Sequence, residues 1–401
     1  MMKAFIAPAT LVAALALPGI VLDAQQSAPA RPAGAYMNVG FVALTDAGWS
    51  TAPNLAAILQ GDHDPKVRGF TIPNTELTLD GAVDPYFKGF TNIVFKLDEK
   101  GETGVELEEA YVLTTSLPAN LQLKAGQFFA EFGRQNPQHP HSWAFVDQPV
   151  VLSRLFGPEG LRSQGLRLSW LVPTPWYAET MVSVVNSTNG TTFSFRSDES
   201  SAIHGGSPVD RAVIKGGDML VIPRITTASD LTATHTLLLG ASGAFGPNNS
   251  GSDTRTTIYG ADVFWKWKSP TAQQGFPFVS FQGEALLRRY DAALRTAVDD
   301  TVTLAAESFG DRGGYGQLLW GIRPRIVAGL RADLAGGDVT GFTSEFRGDR
   351  LRVSPNLTWY PTEFSKLRVQ YNYDDRKTIG KDHSLWVQFE FLLGAHASHK
   401  F

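Results

Sequence analysis

Leu385, Val387, Phe389 and Phe391 alternate with Trp386, Gln388 and Glu390. A strand written this way is apolar on one face and carries amide, carboxylate and indole groups on the other. The same period of two returns from residue 35 onward in segments of about ten residues. Thr257 to Trp267 sets Tyr259, Ala261, Val263, Trp265 and Trp267 against Gly260, Asp262 and Lys266. Leu351 to Tyr360 sets Leu351, Val353, Leu357 and Trp359 against Arg352, Ser354, Asn356 and Thr358. Sixteen such segments can be marked out before the chain ends. A chain with an apolar face in every strand must cover all of those faces with a second sheet or with a non-aqueous solvent.

The front of the chain favours the second solution. Lys3 precedes an apolar run from Phe5 to Leu22, broken by Pro8 and Pro18 and followed by small residues at Ala24 and at Ala28-Pro29-Ala30. This pattern reads as a secretory signal peptide over residues 1–24, with a second cleavage option at 30. A short segment over 25–34 then leads into a β-domain over 35–401. Beyond residue 30 no stretch has the ~20 apolar residues of a membrane helix. In lipid only helices and closed sheets satisfy every backbone group. The expected fold is therefore all-β, a transmembrane antiparallel β-barrel of about 16 strands with long external loops and short periplasmic turns, at home in the outer membrane of a Gram-negative cell. The competing expectation is a secreted, soluble β-protein that binds glycans.

Composition excludes several other classes. The 401 residues include no cysteine, so disulfide frameworks and thiolate metal sites are ruled out. With 35 basic and 39 acidic side chains the net charge of -4 leaves no electrostatic footprint for nucleic acid. Many of the aromatics fall beside strand ends, where a membrane interface would lie: Trp176 with Tyr177, Trp265 with Trp267, Trp359 with Tyr360.

The connections separate into two kinds. Short turns carrying Pro or Asp are expected near 84, 117, 174, 229, 323 and 361, with a slightly longer connection from Ser269-Pro270 to Gly275. An even number of strands returns the chain to the side on which it started. Glu106 and Glu108 share a face while Glu109 falls on the other, which predicts a register change or bulge. Residues 133–163, GRQNPQHPHSWAFVDQPVVLSRLFGPEGLRS, have no strand character and form the long third external loop.

Several stretches resemble bacterial outer-membrane porins of the phosphate-selective O/P type, nearest the branch labelled zinc-regulated TonB-dependent outer-membrane receptor. They are VELEEAYV (105–112), LQLKAGQFFAEFGRQN (121–136), HPHSWAFVDQPVV (139–151), FGPEGLRSQGLRLSWLVPTPW (156–176), YGADVFWKW (259–267) and the closing QFEFLLGAHASHKF. The resemblance implies a barrel pore in outer-membrane lipid, with a homotrimer among the assemblies it allows. It also implies that the third loop folds into the lumen. Two family properties are not carried over. The TonB label implies a plug domain within a 22-stranded barrel, whereas about ten residues separate the signal from the first strand. Phosphate selectivity implies a basic ladder, whereas the polar faces here mix both signs.

Those polar faces supply the candidate functional residues. Glu76, Asp80, Arg167, Glu284, Arg325, Arg331, Arg352, Arg368 and Glu390 are expected to line the pore, and Arg134, His139, His141, Asp147, Arg154 and Arg162 to form the constriction with the third loop. Mixed charge across a narrow passage makes a transverse field that filters small hydrophilic solutes or ions. The alternative is a substrate-specific uptake channel, one linked to metal supply. His139-Pro140-His141 offers two imidazoles but no third ligand at recognisable spacing, so neither a metal site nor a cofactor site is assigned. No catalytic residues are assigned either, because Ser142 beside His141 and Asp147 lacks a nucleophile elbow.

Overall fold

A computed structural model describes residues 37–55, 61–98, 100–209, 213, 215–298 and 301–394. The signal segment, the stretch over 25–34 and the tail over 395–401 lie outside the described residues.

Sixteen strands form one closed antiparallel barrel. In chain order they are β1 (Met37–Ser50), β2 (Gly69–Ala82), β3 (Phe87–Leu97), β4 (Thr103–Thr114), β5 (Leu121–Phe129), β6 (Arg162–Leu171), β7 (Tyr177–Asn186) and β8 (Met219–Thr232). The second half comprises β9 (His235–Pro247), β10 (Arg255–Gln273), β11 (Phe276–Ala292), β12 (Glu307–Arg323), β13 (Ile326–Gly337), β14 (Arg350–Thr362), β15 (Ser365–Arg376) and β16 (Gly380–Gly394). Each strand pairs with its neighbours in sequence, and β16 closes on β1 from Gly40 opposite Gly394 to Ser50 opposite Ser384. Closure leaves no open edge, as spanning a hydrocarbon layer demands. Every alternating segment anticipated from sequence is one of these strands.

Side-chain parity fixes what the wall faces. On β16, Leu385, Val387 and Phe389 point outward and are exposed, whereas Trp386, Gln388 and Glu390 point inward and are buried. On β14, Leu357 and Trp359 are about half exposed while Arg352 is 1% exposed. Each large aliphatic side chain left in water forgoes roughly 1.5–3 kcal/mol of burial. A belt of them around the barrel therefore calls for lipid, and among the described residues no second sheet covers it. That arrangement overturns the soluble glycan-binder expectation.

Local details differ from the pattern in ways that have physical causes. β8 continues through Ser229-Asp230, and β10 continues through Ser269-Pro270 with a register shift between Lys268 and Gln273. The true turn after β10 is Gln274-Gly275, both at positive φ (52° and 86°), the conformation that suits a tight hairpin. Arg325 is the main correction to the expected pore lining. It sits at φ 72° in the two-residue turn between β12 and β13, exposed at the short-turn end, because Pro324 ends the ladder one residue before the strand parity begins. Tyr360, expected in the interfacial girdle with Trp359, turns inward and packs against Phe276, Phe278 and Val327.

The bulge is where sequence parity predicts it. Asn92 pairs with Glu109 and Ile93 with Leu107, leaving Glu108 as the extra residue. A bulge re-aims side chains, and both Glu108 and Glu109 are buried inside the barrel.

Candidate functional site

The third loop, residues 130–161, lies inside the barrel and crosses it. It starts where Gly133, Arg134 and Gln135 wrap the Glu284 carboxylate of β11. Arg134 N and Gln135 N donate to Glu284 Oε1 at 2.9 and 2.6 Å, and Tyr315 Oη donates to the same oxygen at 2.8 Å. Gly133 has φ +63° and any Cβ there would sit 2.0 Å from Glu284 Oε2, so glycine is required. The Arg134 side chain donates to Gln282 at 3.0 Å and lies over the Phe264 ring.

The loop then reaches β2–β4, a sector rich in carboxylates. His139 Nδ1 is 2.8 Å from Glu108 and its Nε2 is 2.8 Å from Glu109, while His141 Nδ1 is 2.9 Å from Glu76. Burial alone would push the His139 imidazole down, but the carboxylates of Glu108, Glu109 and Glu76 hold it well above its ordinary value. The bulge makes this possible, since regular pairing would have sent one of the two adjacent glutamates into lipid.

From there the loop passes to β13–β15, a sector rich in guanidinium groups. Asp147 accepts from Arg331 Nη2 at 2.6 Å, Arg352 Nη1 at 2.7 Å, Gln370 Nε2 at 2.9 Å and Asn372 Nδ2 at 3.1 Å. Burial pushes its carboxyl up, and Arg331 and Arg352 more than reverse that, leaving it below the usual carboxylate range. Loop carbonyls satisfy further wall donors. Arg368 donates to the Trp143 carbonyl at 2.9 Å, Asn356 to Ala144 at 2.8 Å and Lys366 to His141 at 2.6 Å. The loop thus offers imidazoles to the acidic sector and a carboxylate to the basic one.

Its last part is a short helix, α1 (Val150–Phe156), which begins after Pro149 and ends at Gly157 (φ 82°), whose N–H donates to Ser153 O at 2.9 Å. All seven residues are buried. Val151, Leu152, Leu155 and Phe156 pack against inward-facing apolar residues of the wall, among them Leu220, Ile222, Ile258 and Leu286. Buried side chains of this size contribute roughly 1.5–3 kcal/mol each, so this half of the loop is fixed by apolar packing and the 139–149 half by charge.

The remaining sequence candidates are distributed around this loop. Arg154 donates to the carbonyls of Arg347 and Gly348 at 2.6 and 2.9 Å. Arg162 pairs with Glu106 and lies 3.7 Å from Glu108. Arg167 pairs with Glu131 at 2.8 Å, Glu390 with Lys366 at 2.6 Å, and Asp80 accepts from Asn38 at 3.1 Å near the short-turn end. Arg331, Arg352 and Arg368 are each 1% exposed. The mid-wall charges face the loop where sequence reasoning expected water. Residues absent from the sequence candidates are Glu108, Glu109 and His63, the last carried inward by residues 61–64 of the first loop. Its flanking Asp62 and Asp64 were the available signal. Ser142, His141 and Asp147 do not form a relay, because Asp147 is held by β13–β15 while His141 Nδ1 faces Glu76.

These features define an outer-membrane-type sixteen-stranded barrel of the porin fold. Solved structures with this architecture include the outer membrane channel DcaP of Acinetobacter baumannii, at 14% identity and a TM-score of 0.56, covering 90% of this chain and 99% of that one. A loop-deletion form of OmpT, an outer membrane protein of Vibrio cholerae, gives 8% identity and 0.51 over 90% and 99%. OmpF of Salmonella typhi, in complex with daunomycin, gives 10% and 0.50 over 89% and 97%. By sequence the chain is 32% identical over 320 residues to an uncharacterised protein of Aquifex aeolicus (strain VF5), covering 75% of this chain. The chain spans 64% of the length of that relative. No protein-family model matches the sequence.

Proposed function

We propose that this protein is an outer-membrane channel for small hydrophilic solutes or ions, with a lumen of mixed charge narrowed by the third loop, and that it has no catalytic role. The observation that carries the reading is the division of the barrel interior into a carboxylate sector on β2–β4 and a guanidinium sector on β13–β15, with the loop strung between them. A solute passing the loop would cross a transverse field. The test is single-channel recording of purified protein in planar bilayers, comparing wild type with Arg352→Ala and Arg368→Ala. Removing either guanidinium shifts the reversal potential toward cation preference. An absence of conductance, or an unchanged preference in both variants, would refute the assignment.

A second reading, a substrate-specific uptake channel, draws on the depth of burial of the wall charges and the apolar packing of α1, which together hold the loop across the barrel. Candidate solutes applied as blockers of the current distinguish the two, since a general diffusion channel shows no saturable block. We also propose assembly into a homotrimer. On the lipid face, Ala241, Ala261, Ala285, Gly314, Gly316 and Ala332 floor a depression of about 1290 Å³ that runs from β9 to Leu351 of β14 and Asp375 of β15, against which a second copy can pack. A native mass in detergent equal to one chain would contradict this.

A further inference from the structure

Beside the His139 pairs lies a second cluster that the channel reading does not use. His63 Nε2 is 3.6 Å from Glu108 Oε1 and 3.6 Å from Glu159 Oε2. All three atoms are buried, and none has a hydrogen-bond partner among the described residues. At 3.6 Å they are too far apart to satisfy one another, yet close enough to share one small ion. His63 and Glu108 are 5% and 1% exposed. A cavity of about 20 Å³ opens against His63, Glu108 and Glu159. That is room for one water-sized occupant.

We propose that His63, Glu108 and Glu159 form a binding site for a divalent transition-metal cation that ties the first loop to the third loop and the wall. The geometry suits such an ion. Two donors 3.6 Å apart that subtend a tetrahedral angle each lie about 2.2 Å from a shared ion, at the upper end of zinc–oxygen distances and just beyond zinc–nitrogen ones, and the two carboxylate oxygens lie within 4.8 Å of each other. Imidazole with carboxylates is a donor set for zinc, manganese or ferrous iron rather than for calcium or magnesium.

The groups around the three donors orient them. His63 Nδ1 faces the Pro73 carbonyl at 3.5 Å, which favours the tautomer with its lone pair on Nε2. The other Glu108 oxygen is held by Asn92 Nδ2 at 2.7 Å and His139 Nδ1 at 2.8 Å, and the other Glu159 oxygen by Lys96 Nζ at 2.5 Å. Arg162 faces the same two oxygens, Nη1 at 3.7 Å from Glu108 Oε1 and Nη2 at 4.0 Å from Glu159 Oε2, beyond hydrogen-bond reach, while it and Lys96 pair with Glu106, and Lys96 and Lys66 pair with Asp62. With His139 and its carboxylates counted, Asp62, Glu76, Glu106, Glu108, Glu109 and Glu159 outnumber Lys66, Lys96, Arg162 and the His139 imidazolium, leaving a net negative charge for the cation to neutralise. The donors come from the first loop, from β4 and from the third loop, so a bound ion holds all three in one arrangement.

Equilibrium dialysis of the detergent-solubilised, chelator-treated protein against Zn²⁺ and Mn²⁺, with metal content measured by elemental analysis, tests the site. Wild type and the surface control His235→Ala bind one ion per chain. His63→Ala and Glu159→Gln each lose more affinity than the roughly 10–100-fold that follows removal of an outer partner such as Asn92. Heat-modified gel mobility verifies that each variant is a closed barrel, and either variant alone suffices if the other fails to fold. Less than one ion per wild-type chain would mean that the cavity holds water and would overturn the proposal. Retention of wild-type affinity in the folded variants would overturn it equally. Conductance plays no part in this measurement, so its failure leaves the channel reading standing.

Discussion

Replacing Asp147 with Asn removes one charge from the point where the third loop meets the basic sector, and the structure bounds the consequence. The carboxylate accepts from two buried guanidiniums, Arg331 at 2.6 Å and Arg352 at 2.7 Å. Removing one member of a buried ion pair costs about 3–5 kcal/mol, because the partner is left uncompensated. Here each arginine keeps a second carboxylate, Arg331 with Asp333 at 2.8 Å and Arg352 with Asp374 at 3.0 Å. The lower limit therefore applies, about 3 kcal/mol, which raises the undocked population of the 139–149 segment by roughly 100-fold. The barrel ladder involves none of these bonds, and α1 remains held by Val151, Leu155 and Phe156. Asp147→Asn should thus give a folded barrel with larger, noisier single-channel currents, a shift of the reversal potential toward anions, and faster cleavage near residue 144 by added protease. Currents, selectivity and cleavage all equal to wild type would show that the ion pairs do not hold the loop.

Two further outcomes follow from wall and loop chemistry. Val387 faces lipid near mid-height, opposite Ala47 and Val369, so Val387→Arg should lower barrel stability in lipid vesicles by roughly 2–4 kcal/mol; Gln388→Ala, on the inner face beside Arg368, should alter selectivity with little effect on urea unfolding, and the reverse order would refute the facing. Asp64 accepts from Gly61 N and Gln148 N and is pushed from 3.8 up to about 6, chiefly by burial and then by the Asp147 carboxylate. Because its folded value lies above its unfolded one, the stabilisation is complete below 3.8 and is lost as pH rises through about 6. Hydrogen exchange at residues 61–64, corrected for intrinsic rate, should be slower at pH 4.5 than at pH 7.5, and faster exchange at pH 4.5 would refute the assignment.

The wall was legible in the sequence because period-two alternation between lipid and lumen is a one-dimensional signal, repeated in every strand. Its failures are places where that signal means something else. Leu220, Ile222, Ile258 and Leu286 share the inward parity of Arg224, Asp262 and Glu284 yet are apolar, because they pack on α1 rather than face water. Trp386 is inward for the same kind of reason, packed with Ala52, Leu55 and Val146, and Gly48 is the residue that makes room for its ring. Alternation cannot register a filled lumen, since it reports which face a residue is on and not what lies opposite. His63 escaped notice because loop residues carry no parity at all.

What orients the third loop is nonetheless written in its order of charges. His139 and His141 precede Asp147 by six to eight residues, enough extended chain to reach from one sector of the wall to another at roughly 3.3 Å per residue. If the loop lay the other way, the imidazoles would meet Arg331, Arg352 and Arg368, and Asp147 would meet Glu76, Glu108 and Glu109, placing like charges together in a buried setting. Neither half could then compensate the other: Arg331 and Arg352 would keep only Asp333 and Asp374, and Glu76 and Glu109 would lose their imidazole partners, at about 3–5 kcal/mol for each buried pair broken. The bulge at Glu108 strengthens that choice by putting two adjacent carboxylates on one imidazole, where regular pairing would leave a single one. Exchanging charges between loop and wall therefore discriminates better than deleting them. Asp147→Lys alone should expel the loop, and Asp147→Lys combined with Arg331→Gln and Arg352→Gln, which frees Asp333 and Asp374 to face the lysine, should restore wild-type conductance, whereas failure of the triple variant to recover would mean that α1, not charge order, sets the direction of the loop.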